Sequence, residues 1–187
     1  MTKSRQSTFF LDADFFARDT LEVARDLIGT ILVVGKCEAR IVETEAYTTD
    51  AASHAVTRRR QAAWMQETHG HIYVFFIYGM YYCLNFTTEP EGIGAVLIRA
   101  AEPLAGLGTM ARRRGTKDPK KLCSGPGKLC QALNIDLKLN GRPLGRGLKL
   151  RPKGNQPVVM RSRRIGISQA QELEWRFFEQ DSPFVSK

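Results

Sequence analysis

The sequence predicts an α+β domain, and three observations carry that reading. Residues 41–47 alternate apolar and polar side chains, the two-residue period of a β-strand with one covered face. Residues 71–86, HIYVFFIYGMYYCLNF, are dense in aromatic and β-branched types and are split by Gly79-Met80, as in a strand–turn–strand unit. Short stretches with helical spacing and recognisable ends lie around them, at 19–29, 104–113 and 124–134. At 187 residues the chain suits one domain with a sizeable core. No repeat, linker or low-complexity tract divides it, so the domain is expected to span 1–187, with 1–8 as a flexible lead-in.

Taken in order, Asp19-Thr20-Leu21-Glu22 fits a capping box. Leu21, Ala24, Leu27 and Ile28 then form an apolar stripe that Gly29 closes. Thr30–Val34 is β-branched and apolar, and Gly35-Lys36 turns it back into Arg40–Tyr47, RIVETEAY. In that strand Glu43, Glu45 and Tyr47 share one face, and Val42, Thr44 and Ala46 the other. Same-face neighbours sit roughly 6.6–7 Å apart, so two carboxylates this close disfavour each other's charge and at least one is expected to titrate high. That is the condition for a general base near neutral pH. A wet strand face kept soluble by two glutamates is the plainer alternative.

Residues 48–69 show no clean period and read as a long loop with one helical turn, carrying His54 and Arg58-Arg59-Arg60. His69 and His71 are two apart, but no third metal ligand is evident. Gly79 as the first residue of a two-residue turn predicts a type II′ hairpin, with Tyr78 and Tyr81 beside its tip. Ala95–Ala101, AVLIRAA, is a strand whose single charge, Arg99, requires a carboxylate partner, Glu43 or Glu45. Leu104–Arg113 has helical spacing, and Arg112–Lys121 is a basic loop. Ser124-Gly125-Pro126-Gly127-Lys128 opens a second helix that ends at Asn134, and its free N–H groups with Lys128 form a phosphate seat. Short strands follow at 148–150, 157–160, 164–167 and 175–178.

Charge narrows the function. The chain has 28 Lys+Arg against 19 Asp+Glu, a net charge of +9 spread over several clusters, which points to nucleic acid bound by a folded surface. No window of about 18 apolar residues is present, so no membrane-spanning helix is expected. MTKSRQSTFF lacks a signal-peptide core, which places the expected location in the cytoplasm. Four cysteines without a CxxC pair fit reduced thiols better than disulfides.

In combination, RIVETEAY, SHA at 53–55, YVFFIYGMYYCLN at 73–85, VLIRAAEPLAGL at 96–107 and LCSGPGKLCQAL at 122–133 resemble the alkyladenine (3-methyladenine) DNA glycosylase family. The similarity runs in order from about Phe10 to Val185. It implies a curved, mostly antiparallel sheet with flanking helices and a β-hairpin that enters the DNA minor groove. By that resemblance Glu45 matches the general base for water and Arg99 its positioning arginine. Tyr47, His54 and Phe75 line the pocket for a flipped base, and Asn85 crowds the amino group of normal guanine. Tyr78 matches the intercalating tyrosine, flanked by Met80 and Tyr81, and Arg58, Arg59, Arg60 and Lys128 meet phosphates. The implied partner is duplex DNA bearing damaged purines, bound at the nucleoid by a monomer without metal or cofactor.

Two departures stand out. Phe75 replaces a second pocket tyrosine, and the 56–70 segment lacks the family's Gly- and Asn-containing pattern. No lysine matches a nucleophile position, so a monofunctional enzyme without lyase chemistry is expected. A non-catalytic damaged-DNA-binding protein, a metal-dependent nuclease and a small-molecule hydrolase are the competing classes. The first leaves the paired carboxylates unexplained, the second lacks further ligands, and the third leaves the +9 charge unexplained.

Overall fold

The structure is a computed structural model that describes residues 10–186. Its strands are β1 (Ile31–Val34), β2 (Cys37–Tyr47), β3 (Ile72–Ile77), β4 (Tyr81–Thr88), β5 (Gly94–Ala105), β6 (Lys149–Arg151), β7 (Val159–Ser162) and β8 (Arg176–Glu179). They join in one antiparallel sheet, ordered β3-β4-β5-β2-β1-β6, with β8 also paired to β2 and β7 outside β8. The helices are α1 (Thr20–Asp26), α2 (His54–Thr57), α3 (Arg59–Glu67), α4 (Leu107–Arg114) and α5 (Pro126–Leu133). The expected α+β class holds.

β2 organises the rest. One edge pairs with β5 throughout, while the other pairs first with β1 over Cys37–Arg40 and then with β8 over Glu43–Glu45. The sheet forks there, and register shifts around Glu43 in the β2–β5 ladder accommodate the change of partner. Expecting one wet face on this strand is therefore wrong. Residues 41–46 are buried on both faces, because the segments carrying Ile165 and Ser186 cover the carboxylate side. On the other side α1 packs, with Val23, Ala24, Leu27 and Ile28 fully buried, and Thr44 donates to the Ala24 carbonyl at 2.8 Å. Asp19 caps α1 by accepting from the Leu21 and Glu22 N–H groups.

Four further expectations are corrected. Residues 48–69 hold two helices. Ser53 caps α2, and α3 buries Met65 and packs Trp64 against Tyr73, a contact too one-sided to show as a period. The hairpin turn has positive φ at Tyr78 (53°) and Gly79 (68°), the type I′ signature, so it is centred one residue earlier than a II′ turn. β5 continues to Ala105, and α4 starts only after Gly106, whose φ of 77° breaks the strand. Residues 164–167 form no strand, because the Ile165 N–H serves Glu45 in place of a ladder. Residues 1–8, expected to be flexible, lie outside the described residues.

Candidate active site

The fork of β2 sets two carboxylates beside one arginine. Glu43 and Glu45 are both 0% exposed, and Arg99, from the facing strand β5, reaches both: Nε donates to Glu43 at 3.2 Å and Nη1 to Glu45 at 3.4 Å. Arg99 thus has both candidate partners. Glu45 Oε2 also accepts from the Tyr47 hydroxyl at 2.8 Å, and its Oε1 from the Ile165 N–H at 2.7 Å. Arg99 Nη1 lies 3.5 Å from the Ile165 carbonyl as well. Burial pushes the Glu45 carboxyl above its ordinary range, opposed by Arg99, the Ile165 N–H and Tyr47. The expected repulsion from Glu43 is the weakest cause. Desolvation, not the neighbouring charge, raises this group.

In front of this layer opens a cleft of about 950 Å³. Its walls are aromatic: Tyr47 from β2, Tyr73 and Phe75 from β3, and His54 from the start of α2, whose ring lies 4.5 Å from that of Phe75. His54 Nδ1 and the Tyr73 hydroxyl are 2.7 Å apart. Burial, and then the charge of Arg58, push His54 down to about 4, and burial pushes Tyr73 up to about 12. Both groups are therefore neutral near pH 7 and share one proton across this contact, its direction set by the His54 tautomer. Asn85 is held by donating from Nδ2 to the Tyr73 and Cys83 carbonyls. Arg164 packs 4.6 Å behind the Tyr47 ring while paired with Asp50 at 2.7 Å, so it braces one face of that ring.

At the rim, the β3–β4 hairpin lifts Tyr78, 76% exposed, and Met80 clear of the body, with Tyr81 turned back against Gly127. Lys128 lines the same cleft at the start of α5. Arg58 and Arg60 are exposed at the α2–α3 junction, outside the cleft lining. The side chain of Arg59 is outside the described part of the structure. Glu45 does not line the cleft itself, whereas its hydrogen-bond partners Arg99, Tyr47 and Ile165 do. His71 turns its Nδ1 to the His69 carbonyl at 3.1 Å.

Sequence reasoning missed the Ile165 N–H, the Arg164–Asp50 brace, Arg176 and Ser186. Each comes from a segment more than 110 residues from its partner, or acts through backbone, and no local pattern marks it.

A buried carboxylate and an arginine behind an aromatic cleft, on a strongly basic protein, fit a hydrolytic class of DNA-directed protein, the DNA glycosylases. The chain belongs to the methylpurine-DNA glycosylase family, which it matches over residues 14–183. It is 48% identical over 178 residues to a protein of Rhizobium etli, covering 92% of this chain and 87% of that protein. A protein of Agrobacterium fabrum is 49% identical over 178 residues (92% and 90%). One from Methanoculleus marisnigri is 44% identical over 191 residues (95% and 98%). All three are assigned by name to the 3-methyladenine DNA glycosylases.

Proposed function

We propose that this protein is a monofunctional DNA-repair glycosylase. It flips alkylated or deaminated purines, of the 3-methyladenine, hypoxanthine and ethenoadenine types, out of duplex DNA and hydrolyses the N-glycosidic bond. The observation that carries the reading is Glu45: a fully buried carboxylate of raised affinity for protons, tied to Arg99 directly behind an aromatic cleft.

Glu45 suits the role of base better than Glu43. The oxygens of Glu43 are taken up by four donors between 2.6 and 3.2 Å, whereas the contact from Arg99 to Glu45 Oε2 is long at 3.4 Å and open to exchange for water. The Ile165 carbonyl, Arg99 Nη1 and Glu45 Oε2 frame the water. As its oxygen bonds to C1′, its proton passes to Glu45, and the electron pair of the breaking C1′–N bond goes to the purine. For an alkylated purine that pair neutralises the positive ring, so the base departs without a proton. Charge developing on the sugar is met by the carboxylate.

The flipped base stacks between Tyr47 and the Phe75–His54 wall, where a cationic purine is favoured by the ring faces. With its proton on Nε2, His54 donates to an acceptor on the base edge. Asn85, fixed by its two hydrogen bonds, crowds the amino group that distinguishes guanine. Tyr78 fills the gap left in the stack, with Met80 and Tyr81 beside it. Arg58, Arg59, Arg60 and Lys128 contact phosphates. The protein acts as a monomeric single domain on nucleoid DNA.

The test uses duplexes carrying one hypoxanthine, ethenoadenine or alkylated adenine, incubated in EDTA and then treated with alkali. Wild type should give cleavage at the lesion only after alkali, and Glu45→Gln none while still binding. Cleavage before alkali would show lyase chemistry. Tight binding with no abasic product on any lesion would make this a damaged-DNA-binding protein on the same scaffold.

A further inference from the structure

Glu43 is buried as completely as Glu45, yet the chemistry above leaves it idle. Its Oε1 accepts from Arg99 Nε at 3.2 Å, Arg176 Nε at 2.7 Å and Ser186 Oγ at 2.8 Å, and its Oε2 accepts from the Ser186 N–H at 2.6 Å. These donors come from β5, from β8 and from the segment after β8. Arg99 in turn divides its guanidinium three ways. Nε faces Glu43, Nη2 faces Ser186 Oγ at 3.4 Å, and Nη1 faces Glu45 and the Ile165 carbonyl. The group is planar and rigid, so holding the Nε and Nη2 edge fixes where Nη1 points.

We propose that Glu43 and Ser186 are positioning residues that clamp one edge of Arg99, so that its other edge is aimed at Glu45 and at the attacking water. The inference rests on the reading of Glu45 as the base. It does not follow from stability, because a buried ion pair returns little net stabilisation after desolvation. What the arrangement does secure is direction, since Arg99 has no second orientation that keeps all four partners.

A pH signature separates positioning from mere packing. The groups facing Glu45 are Glu43 and Tyr47 on its own strand, Arg99 on β5, Cys83 on β4, Arg176 paired opposite it on β8, and Arg164 behind Tyr47. A neutral amide at position 43 removes the repulsion that Glu43 exerts on Glu45 and leaves the attraction of Arg99 in place. Glu45 then ionises at lower pH, and the acid limb of the rate moves down.

Single-turnover excision from one lesion-bearing duplex, with DNA affinity and melting temperature measured alongside, tests this in wild type, Glu43→Gln, Ser186→Ala and Glu45→Gln. Glu43→Gln should slow excision about 10²-fold, with affinity kept within about twofold and the acid limb lowered. Ser186→Ala removes one of several hydrogen bonds and should slow excision about tenfold, with the limb in place. Wild-type rates in both variants beside an inactive Glu45→Gln overturn the positioning role and leave the glycosylase reading intact. A loss shared equally by rate, affinity and melting temperature marks a structural role and overturns it too. Should Glu43→Gln fail to fold, Ser186→Ala decides alone, and a wild-type rate there overturns the proposal. No product from the wild type overturns the underlying reading of the site.

Discussion

The layer behind the cleft and the hairpin at its rim solve opposite problems. Behind the cleft, Glu43, Glu45 and Arg99 are ionisable, buried and hydrogen-bonded to one another or to their neighbours, and the half-buried Arg176 joins them through Glu43. At the rim, Tyr78 and Met80 are exposed at 76% and 64%. The first arrangement is complete before substrate arrives, so its dipoles need no reorganisation during reaction. On the proposed reading the second is completed only by DNA, since an exposed apolar tip would gain contacts between unstacked bases. Chemistry and recognition are therefore separable in this molecule, and substitutions in the two places should fail in different ways.

The largest effect belongs to Glu45. Glu45→Gln should lower the excision rate by about 10³-fold while leaving DNA affinity unchanged. It should also melt no lower than wild type. Burial raises the pKa of Glu45 in the folded state, so the fold favours its neutral form, and an uncharged amide meets that preference. Single-turnover kinetics, a binding titration and a thermal melt on one preparation check all three. A matching fall in affinity would break the separation of chemistry from recognition.

At the rim the signs should oppose each other. Tyr78→Gly removes the wedge and should slow excision about tenfold, the order of one base-stacking contact. Yet Tyr78 holds a φ of 53°, which costs a residue with a side chain about 1–2 kcal/mol and glycine nothing, so the same variant should gain stability even after glycine's entropic cost of about 0.5–1 kcal/mol. Chemical denaturation measures that gain. A loss of stability would mean that the tip packs on the body after all.

These contrasts also mark how far the sequence was legible. Alternation in RIVETEAY put Glu43, Glu45 and Tyr47 on one face, and the lone charge in AVLIRAA called for a carboxylate; Arg99 meets both. Local chemistry was enough there, because strand pairing is short-range in its consequences for side-chain direction. What escaped was the covering of that face. Ile165, Arg176 and Ser186 arrive from more than a hundred residues away, and only the fork in the sheet brings them to β2. The turn type escaped for a subtler reason. Tyrosine at positive φ contradicts local preference, so no residue-type rule for turns points to it.

Phosphate contacts at the α2–α3 junction should give a smaller and more uniform effect. Arg58 and Arg60 are exposed and away from the cleft lining, so alanine at either should weaken binding to every duplex alike, damaged or not. Each substitution should reduce the slope of log affinity against log salt by about 1. Excision at saturating protein should keep its wild-type rate. An effect on one lesion alone would move these arginines from the rim to the pocket.

The smallest effect concerns His54, which joins the two regions. Burial and Arg58 hold it at about 4, against an ordinary value of 6.5. A group whose folded value is depressed contributes stability above its unfolded value, and that contribution is lost as pH falls toward the folded one. Wild type should therefore lose melting temperature between about pH 6.5 and 4 faster than His54→Gln, whose side chain does not titrate in that range. The difference should be modest, because the ring is partly open to solvent. The acid limb of excision should stay where it is in this variant, since Glu45 and not His54 sets it. Melting curves and rate profiles over the same range check both points. A shifted limb in His54→Gln would show that the wall of the pocket, as well as the layer behind it, takes part in moving the proton.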